Sequence, residues 1–220
     1  KTVVPLNIKR VPVTPIRQNC TILWDERNHA VVVDPGGDVD ELLSQLRGLT
    51  VEAILLTHGH LDHAGGADEL RERLNKIQSD PVPVLGPDRR DAFLLSSIEK
   101  QAAHFGMTGM VSVVPDRFLE SGETLKLLGH DIEVRHIPGH TPGHIVFVDH
   151  GSRRAIVGDT LFRRTVGRTD FAYGDAPALI AGIRQHLMSL PDETVVLCGH
   201  GMPTTIGEER RSNPFLVSER

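Results

Sequence analysis

Apolar residues along the chain fall into short β-type runs and longer stretches with helical spacing. Residues 11–13, 20–24 and 30–33 read as strands of a meander, and Asp34-Pro35-Gly36-Gly37 reads as a tight turn. Val39, Leu42, Leu43 and Leu46 recur at helical spacing, which predicts a helix over 38–49. Residues 51–56 form a buried-type strand that runs into a polar loop, 57–62, and a helix is predicted from 66 to 78. A short strand at 82–85, a helical stretch at 88–104 and strands at 111–114 and 125–128 follow. Strands at 132–136 and 145–148 flank a Pro- and Gly-rich loop, 138–143. The strand 154–157 stops at Gly158-Asp159, and 163–174 has no clear period and reads as a loop. A helix is predicted over 176–190, with Leu179, Ile180, Ile183 and Leu187 on one face, and a strand over 194–198.

Two halves emerge, each with several strands followed by helices, and no linker separates them. This order predicts one α/β domain over 11–220, with two sheets sandwiched between helices and residues 1–10 as an N-terminal extension. The polar clusters singled out below each follow a predicted strand, where a rigid scaffold can present side chains into one cleft.

Composition changes this picture little. The chain has 220 residues, 39% hydrophobic and 24% charged, an ordinary globular balance. The net charge of −5 and the scattered basic residues exclude a nucleic-acid-binding stripe. Cys20 and Cys198 lie far apart and form no disulfide framework, so a reducing, cytoplasmic setting is expected. The first 14 residues lack the pattern of a signal peptide. No apolar run approaches the ~20 residues of a membrane helix.

The 12 histidines change it a great deal. Thr57-His58-Gly59-His60-Leu61-Asp62-His63-Ala64-Gly65-Gly66 places three His and one Asp within six residues. Imidazole and carboxylate donors suit Zn, Fe or Mn. Four donors from so short a loop fit two adjacent ions better than one. His140, Asp159 and His200 sit beside glycines at later strand ends and complete a candidate set. If Asp159 bridges, one ion takes His58, His60, His140 and Asp159, and the other takes Asp62, His63, His200 and Asp159. Two divalent ions against two carboxylates and a hydroxide leave a net charge of about +1. Such a site stabilises hydroxide near neutral pH and accepts charge developing on a carbonyl oxygen. Asp62 is also a candidate to orient the water or carry its proton.

The motif His58-Gly59-His60-Leu61-Asp62-His63, with His140, Asp159 and Gly199-His200-Gly201, resembles the metallo-β-lactamase superfamily. The resemblance implies a four-layer αβ/βα sandwich with a two-metal site at one edge, zinc foremost and iron or manganese as alternatives. Within it, the chain is similar to short glyoxalase II-like hydrolases, relatives of hydroxyacylglutathione hydrolase. The similarity rests on Gln18-Asn19-Cys20, Asp34-Pro35-Gly36-Gly37, Gly158-Asp159-Thr160-Leu161-Phe162, Gly167-Arg168-Thr169-Asp170-Phe171 and the stretch from His200 to Arg210. One departure stands out. Full glyoxalase II enzymes carry a C-terminal helical domain that supplies glutathione-binding residues, whereas 20 residues follow His200 here. The chemistry is expected to carry over more readily than the glutathione specificity.

The resemblance implies hydrolysis of a small-molecule thioester, acyl-glutathione or a related one, by a metal-bound hydroxide. An iron-dependent persulfide dioxygenase and a lactonase or broad-specificity metallo-hydrolase are the alternatives. Neither nucleic acid nor membrane is an expected partner. Arg168 is a candidate substrate-binding residue, with a salt bridge to Asp170 as the plain alternative. Arg163 and Tyr173 share its loop. His136 and His144 are expected behind the ligands or at the surface, and His104 in a lid-like region. His29, His130, His150 and His186 are read as surface residues, and Cys198 as a core thiol.

Overall fold

The computed structural model describes residues 3–217. Strands β1 (Asn7–Val13), β2 (Gln18–Trp24), β3 (His29–Val33), β4 (Thr50–Leu55) and β5 (Val84–Leu85) form one sheet in that order. Its first three strands pair antiparallel and its last three parallel. The second sheet runs β13 (Thr204–Thr205), β12 (Val195–Cys198), β9 (Arg154–Gly158), β8 (Ile145–Asp149), β7 (His130–His136) and β6 (Thr124–Leu127). A small hairpin, β10 (Leu161–Phe162) and β11 (Thr165–Val166), stands apart.

Alternation along the strands builds the layers. Ala30 and Val32 of β3 face helices α1 (Val39–Gln45), α3 (Ala67–Ile77) and α5 (Ile98–His104), packing with Leu42, Leu70, Leu74 and Ile98. Val31 and Val33 face the other sheet and meet Val134, Phe147 and Ile156. Beyond it, Val146, Val148 and Val157 pack on Leu179, Ile183 and Leu187 of α6 (Ala176–His186), and on Ile206, which opens α7 (Ile206–Ser212). The result is a helix–sheet–sheet–helix sandwich, with strands read by both faces. Phe147 is fully enclosed between the sheets, and truncating such a ring to Ala costs about 3–5 kcal/mol.

Several boundaries differ from the pattern-based reading. The first strand begins at Asn7, not residue 11, so Asn7–Arg10, expected to lie outside the domain, pair with Thr21–Trp24. Residues 57–62 are not wholly loop, because a one-turn helix, α2 (Leu61–Ala64), begins within them. The helix expected over 88–104 breaks into a 3-10 turn at Arg89–Asp91, α4 (Ala92–Leu95) and α5. Ser96 and Ser97 interrupt it, their hydroxyls donating back to the Phe93 and Leu94 carbonyls. Residues 111–114 form no strand. Val111 and Val113 bond to Gly65 and Leu95 carbonyls across helices, and no neighbouring strand offers a ladder. The β10–β11 hairpin occupies the start of 163–174. The final helix α7 escaped the periodicity, although Thr205 accepting from the Glu208 N–H is the start of a capping box.

This topology positions the site. Strands β9 and β12 run parallel, and β7 points the same way through two antiparallel steps, so the segments holding His140, Asp159 and His200 leave one edge of the second sheet. The segment after β4 leaves the matching edge of the first sheet. Two backbone bonds join these edges, from Ile145 N–H to the Thr57 carbonyl at 2.8 Å and from Asn19 N–H to the Gly199 carbonyl at 2.7 Å. No helix among the described residues is long and apolar enough to cross a membrane.

Candidate metal centre

All seven predicted donors converge at this edge. Donor atoms of His58, His60 and His140 lie within 4.8 Å of one another, and so do those of Asp62, His63, Asp159 and His200. Asp159 Oδ2 sits between the groups. It is 3.9 Å from His58 Nε2 and 3.5 Å from His140 Nε2 on one side. On the other it is 3.2 Å from His63 Nε2 and 3.5 Å from His200 Nε2. His200 Nε2 also lies 3.0 Å from Asp62 Oδ2. Asp159 Oδ2 is thus within 4 Å of imidazole nitrogens from both groups.

The fit to metal is decided by the buried atoms. His58 Nε2, His63 Nε2 and Asp159 Oδ1 are buried with no hydrogen-bond partner among the described residues. Unpaired buried polar atoms are costly. Two of them, both imidazole nitrogens, point into the donor cluster, as expected for a site that suits two divalent ions. A third grouping, Asp34 with His58 and His63, also has metal-like spacing. Its carboxylate is already engaged, accepting from the Thr57 N–H, the Thr57 hydroxyl and His63 Nδ1. Asp34 therefore holds the site from behind.

Four of the five imidazoles are fixed by their outward nitrogens. His63 Nδ1 lies 2.8 Å from Asp34 Oδ2, and His58 Nδ1 lies 2.9 Å from Thr57 Oγ1. His140 Nδ1 donates to the Arg168 backbone carbonyl at 2.8 Å. His60 Nε2 lies 2.8 Å from Tyr173 Oη while its Nδ1 faces His140 Nε2 at 3.1 Å. Such bonds select the tautomer that points a lone pair inward.

Glycines let the segments approach. A Cβ at Gly199 would lie 2.2 Å from Asp159 Oδ1 and 2.7 Å from His63 Cε1. One at Gly36 would collide with the Asp62 carbonyl oxygen at 1.6 Å, which explains why the Asp34–Gly37 turn can pack beneath α2.

Electrostatics divide the centre. Burial pulls His58 well below the usual imidazole range, aided by His63 and His144, and takes His60 down to about 3. His140 is lowered by burial too. In the other group burial also opposes charge on His200, yet its bonds to Asp159 and Asp62 lift it to about 9. The carboxylates of Asp159, Asp62 and Asp34 likewise overcome burial at His63 and raise it. Burial pushes the Asp159 and Asp62 carboxyls up, but His63 and His200 hold both below the usual range. One half is thus a set of neutral nitrogens, and the other a paired acid–base cluster.

Residues outside the donor set hold these segments in place, and among them Asp91 carried no signal in the sequence. Asp91 is fully buried and accepts from Gly59 N–H at 2.9 Å, Thr141 Oγ1 at 2.7 Å and Gly143 N–H at 2.6 Å. Burial raises its carboxyl to about 6 against those three donors. The Asn19 side-chain amide donates to the Cys198 and Gly201 carbonyls and clamps the His200 segment. His144 is fully buried, stacks on His58 at 4.4 Å and accepts the Asp159 N–H. His136 is half-buried against the Pro142 carbonyl, and His104 is exposed at the end of α5. His130 is not a surface residue. It is buried between Asp149 and the Val4 carbonyl. Cys198 is a buried core thiol, its ionisation pushed by burial up to about 12.

The Arg168 guanidinium stands at the exposed rim, paired with Asp170 at 3.0 Å and lying over the Phe171 ring. Phe171 in turn lies 5.0 Å from the His60 ring and stacks on Tyr173 at 5.2 Å, with Phe93 edge-on to Tyr173 at 5.5 Å. These rings form an apolar wall beside the His60 side of the centre.

A family model for the metallo-beta-lactamase superfamily matches residues 13–200, and the chain belongs to that superfamily of metallo-hydrolases. The chain is 44% identical over 217 residues to the hydroxyacylglutathione hydrolase GloC of Haemophilus influenzae, covering 97% of this chain and 100% of the relative. Among solved structures, the BLEG-1 B3 metallo-beta-lactamase superposes with a TM-score of 0.87 at 34% identity, over 96% of this chain and 100% of that one. TTHA1623 in a di-iron-bound form follows at 0.83 and 38% identity, over 94% of this chain and 100% of that one.

Proposed function

We propose that the chain is a dinuclear metallo-hydrolase of glyoxalase II type that cleaves acyl-glutathione or a related thioester. The observation that carries this is Asp159 Oδ2, within 3.2–3.9 Å of imidazole nitrogens from both donor groups. His58, His60, His140 and Asp159 would hold one ion, and Asp62, His63, His200 and Asp159 the other. Zinc is the first expectation. Iron fits the same donors, and the similarity to a structure in a di-iron-bound form supports it as the alternative. The 44% identity to a relative named hydroxyacylglutathione hydrolase supports the thioester reading.

Two bound divalent ions supply Lewis acidity, lowering the pKa of water and drawing charge from a carbonyl oxygen. The chain's residues do the rest. Asp62 Oδ2 points into the centre beside His200, where it can orient the attacking water and take its proton. Asp34, Thr57 and the Arg168 carbonyl keep His63, His58 and His140 in fixed tautomers. Phe171 and Tyr173 exclude water on one side and offer an apolar surface to the substrate. Water adds to the thioester carbonyl, the C–S bond breaks, and an acid and a thiol leave. Arg168 at the rim is the proposed contact for a substrate carboxylate.

A single-iron persulfide dioxygenase would leave Asp62, His63 and His200 without a role, which favours the dinuclear reading. The test is hydrolysis of S-lactoylglutathione by zinc- or iron-loaded protein, followed as loss of thioester absorbance. Turnover that disappears in folded Asp62→Ala and His140→Ala variants is the expected result. Undiminished turnover in both variants overturns the mechanism.

A further inference from the structure

The imidazoles of the centre are not held alike. His58 and His63 rest on Thr57 and Asp34, both buried, and His140 rests on a backbone carbonyl. His60 points its Nδ1 inward, 3.1 Å from His140 Nε2, and its Nε2 meets the hydroxyl of half-buried Tyr173 at 2.8 Å. Tyr173 belongs to the segment between β11 and α6, at the open side of the centre. Two rings hold it there. Phe171 stacks on it with planes 14° apart, and Phe93 of α4 meets it edge-on at 74°.

We propose that Tyr173 is a positioning residue for His60. Its hydroxyl oxygen accepts the Nε2–H bond, which keeps the proton on Nε2 and leaves the Nδ1 lone pair aimed at the point His140 Nε2 also faces. The aromatic segment at the mouth is thereby coupled to one half of the centre. A neutral imidazole carries one proton, on either nitrogen. Without an acceptor at Nε2 the ring loses its bias toward the binding tautomer and its fixed orientation. The sequence near Tyr173 carries no sign of this role, since the partner lies 113 residues away. The inference rests on the reading of His60 as a metal ligand.

Tyr173→Phe isolates the hydroxyl, because it keeps the ring and its stacking. Metal-free protein is titrated with cobalt(II) in competition with a chelator, and the absorption bands of the two bound equivalents are followed separately. The expected result is a loss of about 10–100-fold in affinity for one equivalent, the other staying within about two-fold of wild type. The thermal midpoint of the metal-free variant stays at the wild-type value. Equal cobalt affinities in wild type and Tyr173→Phe overturn the inference while leaving the metal centre intact. A wild-type protein that binds no cobalt overturns the metal-centre reading, and the inference with it.

Discussion

The Asp91 carboxylate accepts the Thr141 hydroxyl at 2.7 Å across 50 residues of sequence, joining the 3-10 turn after β5 to the segment after β7. The same carboxylate takes the Gly59 and Gly143 N–H groups, so it braces the backbones that carry His58, His60 and His140. Replacing Asp91 by Ala leaves three buried donors unpaired. At about 1–3 kcal/mol for each unsatisfied group, the metal-free protein is expected to lose about 3 kcal/mol or more of stability. Chemical denaturation of wild type and variant measures this. A loss under about 1 kcal/mol would mean that water replaces the brace without cost.

Metal binding should release protons from one half of the centre only. His200, raised to about 9, is protonated near neutral pH in metal-free protein, and its neighbour His63 is raised as well. His58, His60 and His140 are lowered and neutral there. Binding at the Asp62–His63–His200 group therefore displaces protons and strengthens as pH rises toward about 9, while binding at the three-histidine group is pH-independent near neutrality. Calorimetry in buffers of differing ionisation enthalpy reads the proton count. Equal proton release at both steps contradicts the division.

The same shift has a consequence for the metal-free fold. His200 has a folded pKa of about 9, above its ordinary value of 6.5. Its stabilising contribution is fully present below about 6.5 and is lost as pH rises through about 9. Removing the imidazole in His200→Ala should flatten the stability profile of metal-free protein between those values. An unchanged slope would show that the ion pairs with Asp62 and Asp159 do not stabilise the fold.

Much of the centre was legible in the chain because its donors occupy short polar segments at the ends of apolar strands. His58, His60, Asp62 and His63 share one such segment, and periodicity placed the strand before it. Asp91 carried no comparable signal. It lies in a helical-looking stretch, and its role appears only when Ser96 and Ser97 break that stretch and α4 packs on Gly59. Asp34 read as a turn residue, which it is, but its carboxylate also meets His63 through a packing that only Gly36 allows. The layers followed from strand alternation, whereas residues 111–114 had a strand's composition and no partner strand. Local pattern reports what a segment can bury, and tertiary neighbours decide what it pairs with.

Gly199 offers a steric test of Asp159. An added Cβ would stand 2.2 Å from Asp159 Oδ1, so Gly199→Ala must displace the carboxylate or the His200 segment. The expected variant is folded, with hydrolysis reduced by about 100-fold or more, in line with the sensitivity of catalysis to displacements of about 1 Å. Rate measurement with circular dichroism as the fold control decides it. Wild-type activity would mean that the Asp159 position is not critical.

Arg168 separates backbone from side chain. Its carbonyl holds His140, but its guanidinium is exposed and paired with Asp170. Arg168→Ala should leave metal content unchanged and raise KM by about two- to five-fold for thioesters bearing a carboxylate, with little effect on uncharged ones, the scale of one solvent-exposed charged contact. Equal effects on both substrate types would remove the guanidinium from recognition.

The central claim is a pair of ions sharing Asp159, and the most direct measurement counts the ions in active protein. Native mass spectrometry of zinc-loaded wild type, with thioester hydrolysis measured on the same sample, should show two ions per chain at full activity. Asp159→Ala should bind fewer and lose turnover. Full activity with a single bound ion, or two ions retained in an active Asp159→Ala variant, would contradict the account.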